Sequence, residues 1–284
     1  MDSKIIDGTK HAADIRADLK IQLVAKFNQL NFAPHFAVVL VGENPASLVY
    51  INHKRNDCKE IGIGFTLVHL TETATQEEVA EAVHKLNCDK SVTGILVQQP
   101  LPAHINAHEV VCAVAPEKDV DCLHPTNLGL VAMGQGNLLP CTPAGVVELL
   151  KREGIPIEGK NSVILGRSNI VGKPLAFLLL QEDATVTICH SKTQNLMEIC
   201  RNADILIAAI GRPKFVTAEY IKPGAVVVDV GINPIGGKLY GDVDYDSVSK
   251  VASYITPVPG GVGPMTRAVL MQNCVRAVLS SLRV

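Results

Sequence analysis

Residues Asn161 to Leu180 constrain the fold of this chain more than any other stretch. Val163-Ile164-Leu165 is a short apolar run with β-branched side chains, the mark of a buried strand, and it ends at Gly166. Pro174 stands where the first turn of a helix tolerates proline, and an apolar run follows it. A strand, a tight glycine turn and a helix N-terminus together make an anion site. Backbone N–H groups and the helix dipole both point at whatever lies there. Gly166 and Gly172 let the chain turn and let a ligand approach the backbone. The spacing departs from the usual G-x-G-x-x-G. Two readings stay open on this stretch alone: dinucleotide binding, and a plain structural turn of an α/β protein.

A length of 284 residues allows one large or two medium domains with a sizeable core. A hydrophobic content of 47% with 19% charged residues describes a soluble globular protein. The net charge of −2 offers no basic footprint for nucleic acid. The N-terminus lacks a basic segment followed by an apolar one, and no apolar run reaches the ~18 residues that span a bilayer. Neither secretion nor a membrane partner is expected. Cysteines stand at 58, 88, 112, 122, 141, 189, 200 and 274, with no C-x-x-C pair. That pattern reads as free buried thiols in a reducing compartment and not as a structural zinc site.

Apolar residues Ala12, Ile15, Leu19, Leu23, Phe27 and Leu30 recur at helical spacing, which predicts an amphipathic helix over residues 9–30. Residues 36–41 form the first buried strand. Asn44 as cap and Pro45 at the first position start a helix that Gly62 closes. Strand-like segments follow at 65–70 and 94–98, with a helix at 76–86 between them, so the first half reads β-α-β-α with a mostly parallel sheet. The stretch from Gln98 to Thr142 is rich in proline and irregular, with 105–114 as its one helical piece, and reads as a linker or a functional loop region. A helix follows from Thr142 to Gly154. Four apolar runs, 163–165, 185–189, 205–209 and 225–230, then fit a compact nucleotide-binding α/β unit. The chain closes with a helix from about Met265 to Leu282, expected to pack back on the first domain.

The strand at 185–189 runs into His190-Ser191-Lys192-Thr193. An NAD site usually places Asp or Glu there for the ribose hydroxyls, whereas hydroxyls and cations suit a 2′-phosphate. With Arg167 beside Gly166, the sequence favours NADP over NAD. Tyr50 and Lys54 lie four apart on one helix and share a face. Taken alone, such a pair reads as a half-exposed face with a snorkelling lysine. It also suits a flat substrate stacked on the ring, with a lysine acting as acid or base at the reacting atom. Asp121 follows an apolar residue and precedes Cys122-Leu123, so it is expected to turn inward, where a carboxylate needs a partner such as the N–H groups of a heterocycle. His104 and His108 are four apart with Glu109 adjacent, but they lack the H-E-x-x-H arrangement and a third ligand, so no metal is expected. The stiff, side-chain-poor segment from Pro257 to Pro264 suits close approach of backbone to a ligand at a domain boundary.

Taken together the motifs are similar to one family over essentially the whole chain. They are Val41-Gly-Glu-Asn-Pro-Ala-Ser47, Tyr50-x-x-x-Lys54, Gly94-Ile-Leu-Val-Gln98, Pro116-Glu-Lys-Asp-Val-Asp121, Cys141-Thr-Pro143, Gly166-Arg-Ser-x-x-Val-Gly-x-Pro174, Cys189-His-Ser191 and Pro259-Gly-Gly-Val-Gly-Pro-Met-Thr266. The chain resembles the bifunctional methylenetetrahydrofolate dehydrogenase/methenyltetrahydrofolate cyclohydrolases of the FolD type. The resemblance implies an α/β fold of two domains with a cleft between them. The first, residues 1–120, would be a catalytic folate-binding domain against which a helix at about 268–284 packs. The second, residues 121–267, would be a Rossmann-like NADP-binding domain.

The same resemblance implies Lys54 as the catalytic acid/base, Gln98 holding and tuning it, Tyr50 stacked on the folate, and Asp121 anchoring the pterin. Gly166, Arg167, Ser168, Ser191 and the backbone near Ile232 would bind NADP, and Pro259 and Gly260 would line the folate pocket. A cytoplasmic homodimer is implied, feeding purine, methionine, histidine and other one-carbon pathways. Two positions depart from the family pattern. Cys122 stands where glycine is usual, which is costly if φ is positive there, and Gln99 replaces a usual leucine. Two further readings remain: a dehydrogenase without cyclohydrolase activity, and a non-catalytic NADP-binding sensor, against which Tyr50, Lys54 and Gln98 together argue.

Overall fold

Alternating apolar strands and capped helices run along the whole chain. The computed structural model describes residues 3–30 and 33–281, with side chains except at 26–30 and 281. In order the elements are β1 (Lys4–Ile5), α1 (Gly8–Leu30), β2 (His35–Val41), α2 (Pro45–Ile61), β3 (Gly64–Leu70), α3 (Gln76–Cys88), β4 (Gly94–Val97), α4 (Ala107–Ala113), α5 (Pro125–Ala132) and α6 (Cys141–Arg152). There follow β5 (Asn161–Leu165), α7 (Gly172–Gln181), β6 (Thr185–Cys189), α8 (Leu196–Arg201), β7 (Ile205–Ala208), β8 (Val226–Asp229), β9 (Asn233–Ile235), β10 (Lys238–Tyr240), α9 (Tyr245–Val248), β11 (Tyr254–Ile255) and α10 (Val262–Ser281). The chain divides into two compact units, one of Asp14–Leu139 with Arg267–Val284, the other of Met1–Ala13 with Pro140–Thr266.

The unit that starts at Asp14 is built on a three-stranded parallel sheet in the order β3-β2-β4. Its central strand is buried on both faces, as a parallel sheet covered by helices requires. Val79, Val83 and Leu86 of α3 and Val110 of α4 share one apolar cluster with Ala37, Val39 and Val41. On α2, Ile51, Cys58 and Ile61 are buried, and the Cys58 thiol lies 3.7 Å from the Met271 sulfur of α10. Arg267 of α10 pairs with Asp57 of α2 at 2.9 Å. From Arg267 onward the terminal helix thus belongs to this unit, and it begins at Val262, three residues before the expected start. The Phe27, Leu30 and Leu282 side chains lie outside the described residues.

The compact units divide at 139/140, so residues 121–139 cluster with the unit that contains the three-stranded sheet. Asn273 of α10, with no exposed surface, donates to the carbonyls of Val120 at 2.8 Å and Leu139 at 2.7 Å. The Cys122 thiol donates to the Leu138 carbonyl at 3.3 Å. These bonds tie residues 121–139 to the unit that holds α10. The proline-rich stretch also contains a second helix, α5, where its composition predicts irregular chain. Pro125 opens α5, and the His124 imidazole caps it by accepting the Thr126 N–H at 3.1 Å.

The other unit carries a six-stranded sheet in the order β1-β11-β8-β7-β5-β6, with every pairing parallel. The chain runs from β5 out to the edge strand β6, then returns to the far side of β5 at β7. In such sheets the ligand crevice opens at the carboxyl ends of the strands where the order reverses, here β5 and β7. The β9–β10 hairpin and the short outer strands β11 and β1 were not visible as apolar runs.

Candidate functional site

Local sequence fixes the first cluster. The Asn44 carbonyl oxygen accepts the N–H groups of Ala46 at 3.0 Å and Ser47 at 3.1 Å, and Pro45 opens α2. With Ile51 and Cys58 inward, the helix leaves Tyr50 exposed at 37% and Lys54 half-buried. Gln98 follows β4, and its N–H still donates to Val39 of β2 at 2.9 Å, so the strand geometry aims its side chain. Lys54 Nζ donates to Gln98 Oε1 at 2.9 Å. Gln98 Nε2 donates to the Gln99 carbonyl at 2.6 Å. The Gln99 backbone, and not its exposed side chain, is therefore what engages Gln98.

Asp121 belongs to the same unit and is half-buried. The carboxylate that turns fully inward is Asp119. It accepts the N–H groups of Leu123 at 3.3 Å and His124 at 2.8 Å, and the Asn127 amide at 2.8 Å. Immediately after Asp121 the chain takes a left-handed turn, with Cys122 at φ 57°. Burial pushes the Cys122 thiol up, with Asp119 and Asp121 adding to the effect, so it stays neutral.

The second unit contains a cavity of about 480 Å³ at the carboxyl ends of β5, β6 and β7. Gly166, Arg167 and Ser168 form one wall, His190, Ser191 and Thr193 a second, and Ile210, Arg212 and Phe215 a third. A Cβ at Gly166 would overlap the Ala209 carbonyl, and one at Gly172 would overlap the Gly166 carbonyl. Only glycine permits this approach of loop to helix start. Ser168 Oγ accepts the Val171 and Gly172 N–H groups at 3.1 and 3.4 Å, which sets the entry to α7.

Two family models match the chain: the tetrahydrofolate dehydrogenase/cyclohydrolase catalytic domain over residues 6–121, and the NAD(P)-binding domain of the same enzymes over residues 140–282. The chain belongs to the tetrahydrofolate dehydrogenase/cyclohydrolase family. The bifunctional protein FolD of Ruminiclostridium cellulolyticum is 54% identical over 280 residues, covering 98% of each chain. The structure of the bifunctional FolD methylenetetrahydrofolate dehydrogenase/cyclohydrolase from Campylobacter jejuni superposes with a TM-score of 0.95 at 45% identity, over 98% of this chain and 99% of that one. The Trypanosoma brucei enzyme, solved with NADP and an inhibitor, gives 0.96 at 38% identity over the full length of both.

In this member of the family the expected residues divide between the units. Tyr50, Lys54, Gln98 and Asp121 lie in the unit with the three-stranded sheet. Gly166, Arg167, Ser168 and Ser191 meet in the cavity of the other. Ile232 is exposed in the link between β8 and β9 and is not among that cavity's lining residues. Pro259 and Gly260 lie in the segment between β11 and α10, where the Gly260 carbonyl accepts the Thr9 N–H at 3.0 Å. His104 Nε2 lies 2.9 Å from the Ala74 carbonyl, and among the described residues no cluster of three His, Cys, Asp or Glu side chains could hold a metal ion.

The cavity suits NADP. Its glycine cradle faces the start of α7, its β6 end carries hydroxyls and no acid, and Arg167 and Arg212 supply positive charge. Arg212 and Phe215 were missed in the sequence. The signal was Gly211-Arg212-Pro213 after an apolar run, which repeats the strand-glycine-arginine order of Leu165-Gly166-Arg167.

Proposed function

We infer that this chain oxidises 5,10-methylenetetrahydrofolate to 5,10-methenyltetrahydrofolate with NADP+ and hydrolyses that product to 10-formyltetrahydrofolate. The observation that carries the reading is the oriented Lys54–Gln98 pair, in a family member whose second unit holds a glycine-cradled, acid-free nucleotide cavity. Bound NADP+ accepts the hydride that leaves the carbon bridging N5 and N10. The unit with Lys54 binds the folate, and the Tyr50 ring offers it a stacking face. Asp121 accepts the N–H groups of the pterin, while Pro259 and Gly260 contribute backbone to the folate pocket, and the backbone near Ile232 contributes to NADP binding.

Hydrolysis needs proton transfers that oxidation does not. Water adds to the cationic methenyl carbon and loses a proton. The C–N5 bond then breaks, N5 gains a proton, and the hydroxyl gives its remaining proton to solvent as the formyl C=O forms, so that one proton is released overall. Lys54 takes the proton from the attacking water and returns one to N5, and Gln98 keeps its Nζ aimed at the site of transfer. Both reactions occur at one carbon, so a single pocket serves both.

The product feeds purine, methionine, histidine and other one-carbon pathways. Eight free cysteines support a reducing, cytoplasmic setting. A homodimer is supported by the unpaired edge of β6 and by Phe177, Leu180 and Ile188, which stay exposed on α7 and β6. Light scattering on the purified chain reads the oligomeric state directly. The activity is tested by following methenyl absorbance with methylenetetrahydrofolate and NADP+, with NAD+ in parallel. A rise followed by decay supports both activities, a rise without enzyme-dependent decay leaves a dehydrogenase alone, and no rise removes the reading.

A further inference from the structure

We propose that Asp242 is a positioning residue for NADP binding: its buried carboxylate holds the loop after β7, and with it Arg212 and Phe215, as a wall of the nucleotide cavity. Asp242 has no exposed surface and does not line that cavity. Its Oδ2 accepts the N–H groups of Ile210 at 2.7 Å and Gly211 at 3.0 Å, and its Oδ1 accepts that of Arg212 at 2.8 Å. Three successive N–H groups converging on one point form an anion-binding concavity. Here a side chain from 30 residues further along fills it. The loop is thereby shaped before any nucleotide arrives.

The carboxylate is itself fixed. The Asp242 N–H donates to Asp229 Oδ1 at 2.9 Å, and Asp229 also accepts the N–H groups of Gly231 and Val243, each at 2.9 Å. A Cβ at Gly231 would overlap the Asp242 carboxylate, and one at Gly241 would overlap that of Asp229. Asn233 Nδ2 supplies the fourth donor to Asp242 at 3.0 Å. On the cavity side, the Arg212 guanidinium stacks 4.4 Å from the Phe215 ring centre. Ala209, one residue before the loop, is the carbonyl against which the Gly166 turn closes. A shift of residues 210–212 therefore moves the cationic wall and disturbs the glycine cradle together.

Every partner of the Asp242 carboxylate is a donor, so asparagine at this position sets an NH2 group against two donors in either orientation. We expect Asp242→Asn to weaken NADP+ binding at least tenfold by titration calorimetry. Hydrolysis of methenyltetrahydrofolate without nucleotide should stay within twofold, because that chemistry is assigned to Lys54. Arg212→Ala should weaken NADP+ about tenfold alone but less than threefold in the Asp242→Asn background, since the loop is then already displaced. A Kd for Asp242→Asn within twofold of wild type, or fully additive effects in the double variant, would overturn the proposal. In the wild-type protein without nucleotide, the amides of Ile210, Gly211 and Arg212 should exchange slowly with deuterium. Rapid exchange there would also overturn it, and this measurement stands even if Asp242→Asn does not fold. The inference rests on the cavity being the NADP site. Failure of the wild-type protein to bind NADP+ in the same titration would remove that reading, whereas equal binding by wild type and Asp242→Asn would remove only the role of Asp242.

Discussion

Gln98 presents its amide oxygen, not its nitrogen, to Lys54, at 2.9 Å. The orientation is set from behind, because Gln98 Nε2 is committed to the Gln99 carbonyl at 2.6 Å. The pair thus fixes the direction in which the Lys54 ammonium points. Lys54→Met should lower the hydrolysis of methenyltetrahydrofolate by about 10²–10⁴-fold, the usual worth of a positioned acid/base, and leave the Kd for NADP+ within twofold. The decay of methenyl absorbance measures the first and calorimetry the second. A variant that hydrolyses at near the wild-type rate would remove Lys54 from the role.

Arg167 stands at the mouth of the glycine turn, opposite Ser191 in the lining of the same cavity. A guanidinium that reads the 2′-phosphate makes a charge-assisted bond that NAD cannot offer. Arg167→Ala should raise the Kd for NADP+ by about 10–100-fold, as loss of about 1.5–3 kcal/mol implies, and change that for NAD+ less than threefold. Equal losses for the two nucleotides would show that Arg167 does not distinguish them.

The parts that were legible in the sequence are those encoded over a few residues. Asn44, Pro45 and Gly62 bound α2, and Leu165, Gly166 and Pro174 mark a strand, a turn and a helix start. The acid-free end of β6 is likewise contiguous. What was not legible depends on residues far apart in the chain. Asp119 and Asp121 look alike in sequence, but Asp119 bridges Ile95 of β4 and is the one drawn in against the start of α5. Residues 121–139 stay with the unit of the three-stranded sheet because Asn273, more than a hundred residues away, holds Val120 and Leu139. The part of Asp242 is invisible for the same reason, since its partners lie 30–32 residues back on another strand's loop.

Cys122 occupies a left-handed conformation, φ 57°, in which a side chain usually costs about 1–2 kcal/mol. Its thiol is nevertheless fully buried and donates to Leu138, so glycine would relieve the backbone and lose packing at once. Cys122→Gly should therefore change stability by no more than about 1 kcal/mol. Cys122→Val should destabilise by about 2–3 kcal/mol, because a β-branched side chain tolerates this conformation least. Urea unfolding of the two variants checks both values. Equal stability of the valine variant and wild type would mean that the backbone relaxes out of the left-handed region at no cost.

Glu153 joins the N-terminal segment to the end of α6 through Lys4 at 3.0 Å and His11 at 2.9 Å. Burial alone would raise its carboxyl. Hydrogen bonds from His11 and Lys4 outweigh burial and hold it below the ordinary glutamate value. A carboxyl with a folded pKa below its unfolded one releases its proton more readily in the folded chain. Its contribution is therefore complete above the unfolded value, about 4.3, and is lost as pH falls through the folded one. Discounted for the exposed Lys4, the contribution is about 1 kcal/mol. Glu153→Gln should therefore melt below wild type at pH 7, and the gap should narrow as the pH falls below the ordinary glutamate value. Melting curves of the two proteins across this range measure the effect, and a gap that stays constant with pH would show that the ionised carboxylate contributes nothing there.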